Sequence, residues 1–122
     1  MIAYFFKRLR MRIIWSLAGW RDAWVNEHSF RTWVWANGIS GAFAFLLPLS
    51  MGERALILSL GVLVLAAELL NTAIERVVDL ACPDQNELAK RAKDAGSAGV
   101  AVTSLAAGLA WVVVLWRVVF QG

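Results

Sequence analysis

Glu68, Asn71, Thr72, Glu75 and Asp79 recur at one- to four-residue steps along the stretch ELLNTAIERVVD. Wound as a helix at about 100° per residue, they fall on one face roughly 100° wide. The opposite face, with Leu70, Ala73 and Val77, is apolar. Glu75 stands about two turns, ~10 Å, beyond Glu68. The stretch follows thirteen uncharged residues, Ala55 to Ala67. One carboxylate therefore lies at depth in an apolar helix while two approach its far end. An ionisable side chain in that position is costly and marks function by default. Asn71 and Thr72 alone would serve equally well as packing contacts between helices. Two glutamates and an aspartate on the same stripe ask for more. Arg76 is turned about 80° away from Glu68, toward headgroups or a neighbouring helix.

A second concentration of chemistry is RAKDAGSAG. Lys93 suits a phosphate as a point charge, and Asp94 suits Lys93 or a metal-bound water as partner. Gly96, Ser97, Ala98 and Gly99 keep the following helix narrow and permit close approach of backbones. The same residues also read as a membrane boundary followed by small packing side chains. Carboxylates for magnesium, a lysine for phosphate and a deep glutamate for proton abstraction form a consistent phosphoryl-transfer set. No nucleotide signature accompanies them: there is no GxxxxGK[ST], no kinase glycine-rich loop and no HRD and DFG pair.

The elements that must hold these groups are apolar. Of 122 residues, 60% are hydrophobic and 17% charged, beyond what a soluble chain of this size buries. Thr32 to Gly52 and Ala95 to Trp116 are uncharged runs of 21 and 22 residues, each long enough for a ~30 Å hydrocarbon core. The segment beginning at Ala55 runs uncharged for too short a distance and must carry Glu68 into or near the bilayer. Pro83, with Asp84 and Asn86, predicts a turn after it. At the N-terminus, Ile2, Phe5, Phe6, Leu9, Ile13, Leu17, Trp20 and Trp24 form a stripe with Lys7, Arg8, Arg10 and Arg21 mostly beside it. This predicts an amphipathic helix along the membrane surface, and its interrupted apolar stretch does not resemble a signal peptide.

The expected fold is an all-α membrane protein in a single domain over residues 1–122. It comprises a surface helix at about 2–27 and three transmembrane helices at about 30–51, 54–81 and 91–117. The basic excess before the first span and around Lys90, Arg91 and Lys93 predicts a cytoplasmic N-terminus and an external C-terminus. Beside hydrophobic spans that excess meets anionic lipid and not nucleic acid. A single cysteine, Cys82, excludes an intrachain disulfide, and the spacing holds no zinc motif.

Glu68–Asp79, the downstream RAKDAGSA (Arg91–Ala98) and the upstream AWVNEHSFR (Ala23–Arg31) together resemble the bacterial integral-membrane diacylglycerol kinase family. The likeness runs from about Arg8 to Trp116. It implies a homotrimer of three-span subunits in the bacterial inner membrane, with active sites shared between neighbouring subunits at the cytoplasmic interface. It also implies transfer of the ATP γ-phosphate to the hydroxyl of diacylglycerol, with Mg2+, giving phosphatidic acid. On matching positions, Glu68 resembles the general base, Glu27 and Glu75 the metal carboxylates, and Asn71 a supporting residue. Lys93 and Asp94 resemble nucleotide-site residues, Asp84, Gln85 and Asn86 the nucleotide-contacting loop, and Arg8 a basic residue at the phosphate and headgroup site. Trp24, Arg31, Ser97 and Trp111 fall where the family lines its lipid pocket. Trp15 stands near the nucleotide where the family commonly has tyrosine. Thr32 and Trp33 replace a familiar Gln-Glu pair, and Met11 a lysine; these departures bear on lipid choice more than on the reaction.

An undecaprenol kinase would use the same fold and motif. A small proton-coupled multidrug exporter would also use a membrane glutamate, but with four spans and without acids gathered toward Lys93. A non-enzymatic membrane subunit would leave the polar stripe unused.

Overall fold

The computed structural model describes residues 1–121, which form four α-helices: α1 (Ile2–Asn26), α2 (His28–Leu46), α3 (Met51–Ala81) and α4 (Glu87–Phe120). Local chemistry sets their ends. Glu27 is extended between α1 and α2. Arg31 reaches back from α2 to the carbonyls of Trp24 and Val25, at 2.8 and 3.0 Å, satisfying groups left over at the end of α1. The helix expected over 30–51 stops at Leu46. Pro48 is the reason: it supplies no N–H and pushes the preceding Leu47 into extended backbone. Arg54 then donates to the carbonyls of Ala44 and Leu49. Ser50 opens α3 with a capping box: its hydroxyl accepts from the Glu53 N–H, and the Glu53 carboxylate accepts from the Ser50 N–H. After the turn at Pro83, the side chain of Asn86 caps α4 by accepting from the N–H groups of Leu88 and Ala89.

The central element is α3, with α2 and α4 on its flanks. Antiparallel packing of α3 and α4 is fixed at both ends. Glu53 takes a two-pronged pair from Arg117, at 2.5 and 2.7 Å, and Arg117 also donates to the Pro48 carbonyl. At the other end, Lys93 meets Asp79 at 2.5 Å. The buried stripe of α3 is Ile57, Gly61, Val64, Glu68, Asn71 and Thr72, so the polar face predicted from spacing continues an apolar one. Ala44, Leu49, Ile57 and Val114 form the closed core at the apolar end, with Leu58 and Trp111 packed against it. Gly61 admits α2 closely, because a Cβ there would lie 2.0 Å from the amide oxygen of Asn37. Trp111 crosses from α4 to donate its indole N–H to the Ser40 hydroxyl at 2.8 Å.

Both α3 and α4 are long and apolar enough to cross a membrane. Their outward faces, including Leu63, Leu70, Val77, Leu105, Leu109 and Val112, are exposed, as faces turned to lipid must be. By contrast, α1 touches the other helices only through its C-terminal part, and Ala23 is its single buried residue. Trp20 meets Phe30 edge-to-face at 4.8 Å, and Asp22 accepts from Arg76 of α3. The remaining apolar row, Ile2, Phe5, Phe6, Leu9, Ile13 and Leu17, is uncovered.

The Arg76 guanidinium holds the Asp22 carboxyl below its ordinary value of 3.8, helped by the Asn26 amide. A carboxyl shifted down stabilises the docked state above that ordinary value and ceases to do so as pH falls through the lowered one. Asp22→Asn is therefore expected to raise hydrogen exchange in the last turns of α1 at pH 7. The difference from the parent should shrink in measurements below pH 3.8.

Candidate functional site

The polar half of the α3 stripe carries the densest chemistry. Glu68 is 4% exposed, and Asn71 and Thr72 are also buried. A buried carboxylate needs donors. The one present comes from α2: Ser29 donates its hydroxyl proton to Glu68 Oε1. One turn further along, Asn71 donates from Nδ2 to Glu75 Oε1 at 3.1 Å. Asn71 Oδ1 is sealed without a partner. It presses on α4 where Gly96 has no side chain, and a Cβ there would lie 2.5 Å away. The small residues at the start of the last span thus admit an amide that orients Glu75, in addition to any packing role.

Arg76 links the junction between α1 and α2 to this face. It donates to Glu27 at 2.7 Å as well as to Asp22. In the isolated chain Glu27 is therefore engaged by arginine. Among the described residues no three His, Cys, Asp or Glu side chains converge as a ready metal cluster. The donor set still suits magnesium, a hard ion that takes one or two carboxylates and completes its shell with phosphate oxygens and water.

Beyond Glu75, where α3 and α4 are joined, a cavity of about 620 Å³ opens. Asp79, Asp84, Gln85, Asn86, Lys90 and Lys93 are among the residues lining it. Two pairings differ from the sequence expectation. Lys93 pairs with Asp79 and not with Asp94, while Asp94 pairs with Lys90 at 2.6 Å. Helical spacing accounts for the second pair: Lys90 and Asp94 are one turn apart on α4, whereas Lys93 points across to α3. Lys93 also lies within electrostatic reach of Glu75, which joins the cavity to the buried face. Asn86 lines the cavity while its side-chain oxygen caps α4.

Other expected site residues are not gathered here by the single chain. Arg8 folds onto Tyr4 of its own helix, and Trp15 is 64% exposed on α1. Trp24 is 37% exposed, and its carbonyl receives Arg31. Ser97 is exposed on α4, and Trp111 is tied to Ser40 near the opposite core. Two contributors escaped sequence reasoning: Ser29, and Arg76 as partner of Glu27. The phase of Arg76 pointed to a neighbouring helix without naming one. For Ser29, a lone hydroxyl at a helix start carries no signal of a partner 39 residues away.

A deep glutamate and an oriented second carboxylate, with a lysine-lined cavity beyond, form one polar face in an apolar helical chain, with groups that suit phosphoryl transfer. A family model described as prokaryotic diacylglycerol kinase matches residues 14–115, and the chain belongs to that family. It is similar to a diacylglycerol kinase of Pseudomonas aeruginosa, with 40% identity over 89% of each chain. A diacylglycerol kinase of Escherichia coli is 38% identical over 91% of each. One from Helicobacter pylori is 32% identical over 87% of this chain and 83% of its own.

Gly96→Ala tests how this face is oriented. The added methyl must displace the Asn71 amide and release Glu75, and a displacement near 1 Å costs turnover on the order of a hundredfold. Activity is expected to collapse while circular dichroism shows an intact helical protein, since alanine is the better helix former.

Proposed function

We propose that the chain is an ATP-dependent diacylglycerol kinase of the bacterial inner membrane. The observation that carries this reading is Glu68: a carboxylate 4% exposed, on the polar face of an apolar helix, with a lysine-lined cavity beyond it. Family membership supports the lipid acceptor and the nucleotide donor.

In this mechanism the lipid hydroxyl enters beside Glu68 from the apolar side and gives its proton to that carboxylate. Its oxygen attacks the γ-phosphorus of ATP as the bond from that phosphorus to the β–γ bridging oxygen breaks. ADP leaves, and phosphatidic acid remains in the membrane. Lys93 places positive charge on the phosphates from the cavity side, where Asp84, Gln85 and Asn86 contact the nucleotide with Asp94 nearby. Asn71 keeps Glu75 aimed at the phosphate region. Glu27 and Glu75 would hold Mg2+, which when bound neutralises charge on the β- and γ-phosphates. Arg76 must hand Glu27 over for that to occur.

Trp24, Arg31, Ser97 and Trp111 border the lipid path in this reading. Arg8 and Trp15, exposed on α1, belong in this reading to the site of a neighbouring copy in a homotrimer with shared sites. The uncovered apolar row of α1 suits the membrane surface. The 19-residue α2, about 28 Å long at 1.5 Å per residue, serves as the third span. The N-terminus then lies in the cytoplasm and the C-terminus outside.

Purified protein in lipid, given ATP with diacylglycerol or undecaprenol in separate reactions, tests the reading. Phosphorylation of diacylglycerol is expected, with loss of at least a hundredfold in Glu68→Gln and nucleotide binding retained. Turnover on undecaprenol alone would reassign the acceptor; full activity in Glu68→Gln would remove the base. Glu75→Gln is expected to shift the magnesium titration to higher concentration, and an unchanged titration would take Glu75 out of the metal site.

A further inference from the structure

We propose that Ser29 is a positioning residue for the phosphoryl-transfer reaction, fixing the Glu68 carboxylate so that one of its oxygens faces the incoming lipid hydroxyl. The inference rests on the reading of Glu68 as base. Ser29 occupies the first turn of α2, two residues after the extended residue Glu27, and its hydroxyl donates to Glu68 Oε1 across the α2–α3 interface. Among the described residues, no other side chain hydrogen-bonds Glu68. A glutamate on an otherwise apolar helix has three rotatable side-chain bonds and would sample several directions; the bond from Ser29 selects one.

The same bond separates the two carboxylate oxygens by role. Oε1 is occupied by Ser29. Oε2 accepts no side-chain hydrogen bond among the described residues. It is thus the oxygen left for an acceptor hydroxyl. Ser29 is seated by the α2–α3 seam, where Gly61 of α3 admits Asn37 of α2, a contact that stays in place when Glu27 leaves Arg76. At the other side Phe30 is buried against Trp20. The backbone carrying Ser29 is therefore held to the helix that carries Glu68.

The test compares Ser29→Ala, Ser29→Thr and Glu68→Gln with the parent in reconstituted lipid, measuring kcat and both KM values. Ser29→Ala is expected to lower kcat about tenfold while the KM for ATP and the KM for diacylglycerol stay within about twofold. Ser29→Thr, which keeps the hydroxyl, should recover most of kcat. Circular dichroism and ATP binding check that each variant is folded. An unchanged kcat in Ser29→Ala, an effect confined to KM, or equal losses in the alanine and threonine variants would overturn the proposal. If Glu68→Gln is inactive and Ser29→Ala is not impaired, only the role of Ser29 fails. If Glu68→Gln turns over like the parent, the base reading fails and the positioning role falls with it.

Discussion

A carboxylate enclosed by apolar helices must be met by donors from its neighbours, because lipid and aliphatic side chains offer none. Glu68 sets this requirement for the whole chain. The start of α2 meets it with Ser29, and the position of α2 then follows the buried stripe of α3 from Glu68 down to Ile57. Along that route the close approach at Gly61 and the shared core of Ala44 and Ile57 fill the seam. On the other flank, α4 accommodates the Asn71 amide by offering Gly96. The two glycines act alike: each removes a side chain where an amide from the facing helix must fit.

The chain divides its charges by depth. At the apolar-core end, Glu53, Arg117 and Arg54 hold the α2–α3 turn and the end of α4 through charge-assisted bonds to backbone and to one another. At the opposite end, the charged groups pair with one another between side chains: Lys93 with Asp79, Lys90 with Asp94, and Arg76 with Asp22 and Glu27. The first set closes the fold around chain groups. Of the second, Asp79, Lys90 and Lys93 line an open cavity. Exposed pairs are individually weak, so this end exchanges partners at little cost.

Much of this was legible before any coordinates. The stripe Glu68, Asn71, Thr72, Glu75 follows from helical periodicity, and three of its members are buried as a charged or polar face in an apolar chain would require. The turn at Pro83 and the long last helix follow from proline chemistry and from an uncharged run. The end of α2 was less legible: the uncharged run continues past Leu46, while Pro48 ends the helix inside it. Hydropathy reports the surroundings of a segment and not its hydrogen bonds, so the run and the helix have different lengths.

Within one helix, 100° per residue places side chains without reference to the rest of the molecule, and so the sequence by itself determined which groups share a face and which elements are apolar. Partners across helices depend on where two axes come together and at what height. Only the tertiary structure decided that Ser29 meets Glu68, that Arg76 takes Glu27 and Asp22, and that Lys93 turns to Asp79. Those contacts join residues as many as 54 positions apart. No local rule of spacing encodes them, because interhelical register is set by the packing of every side chain along the seam.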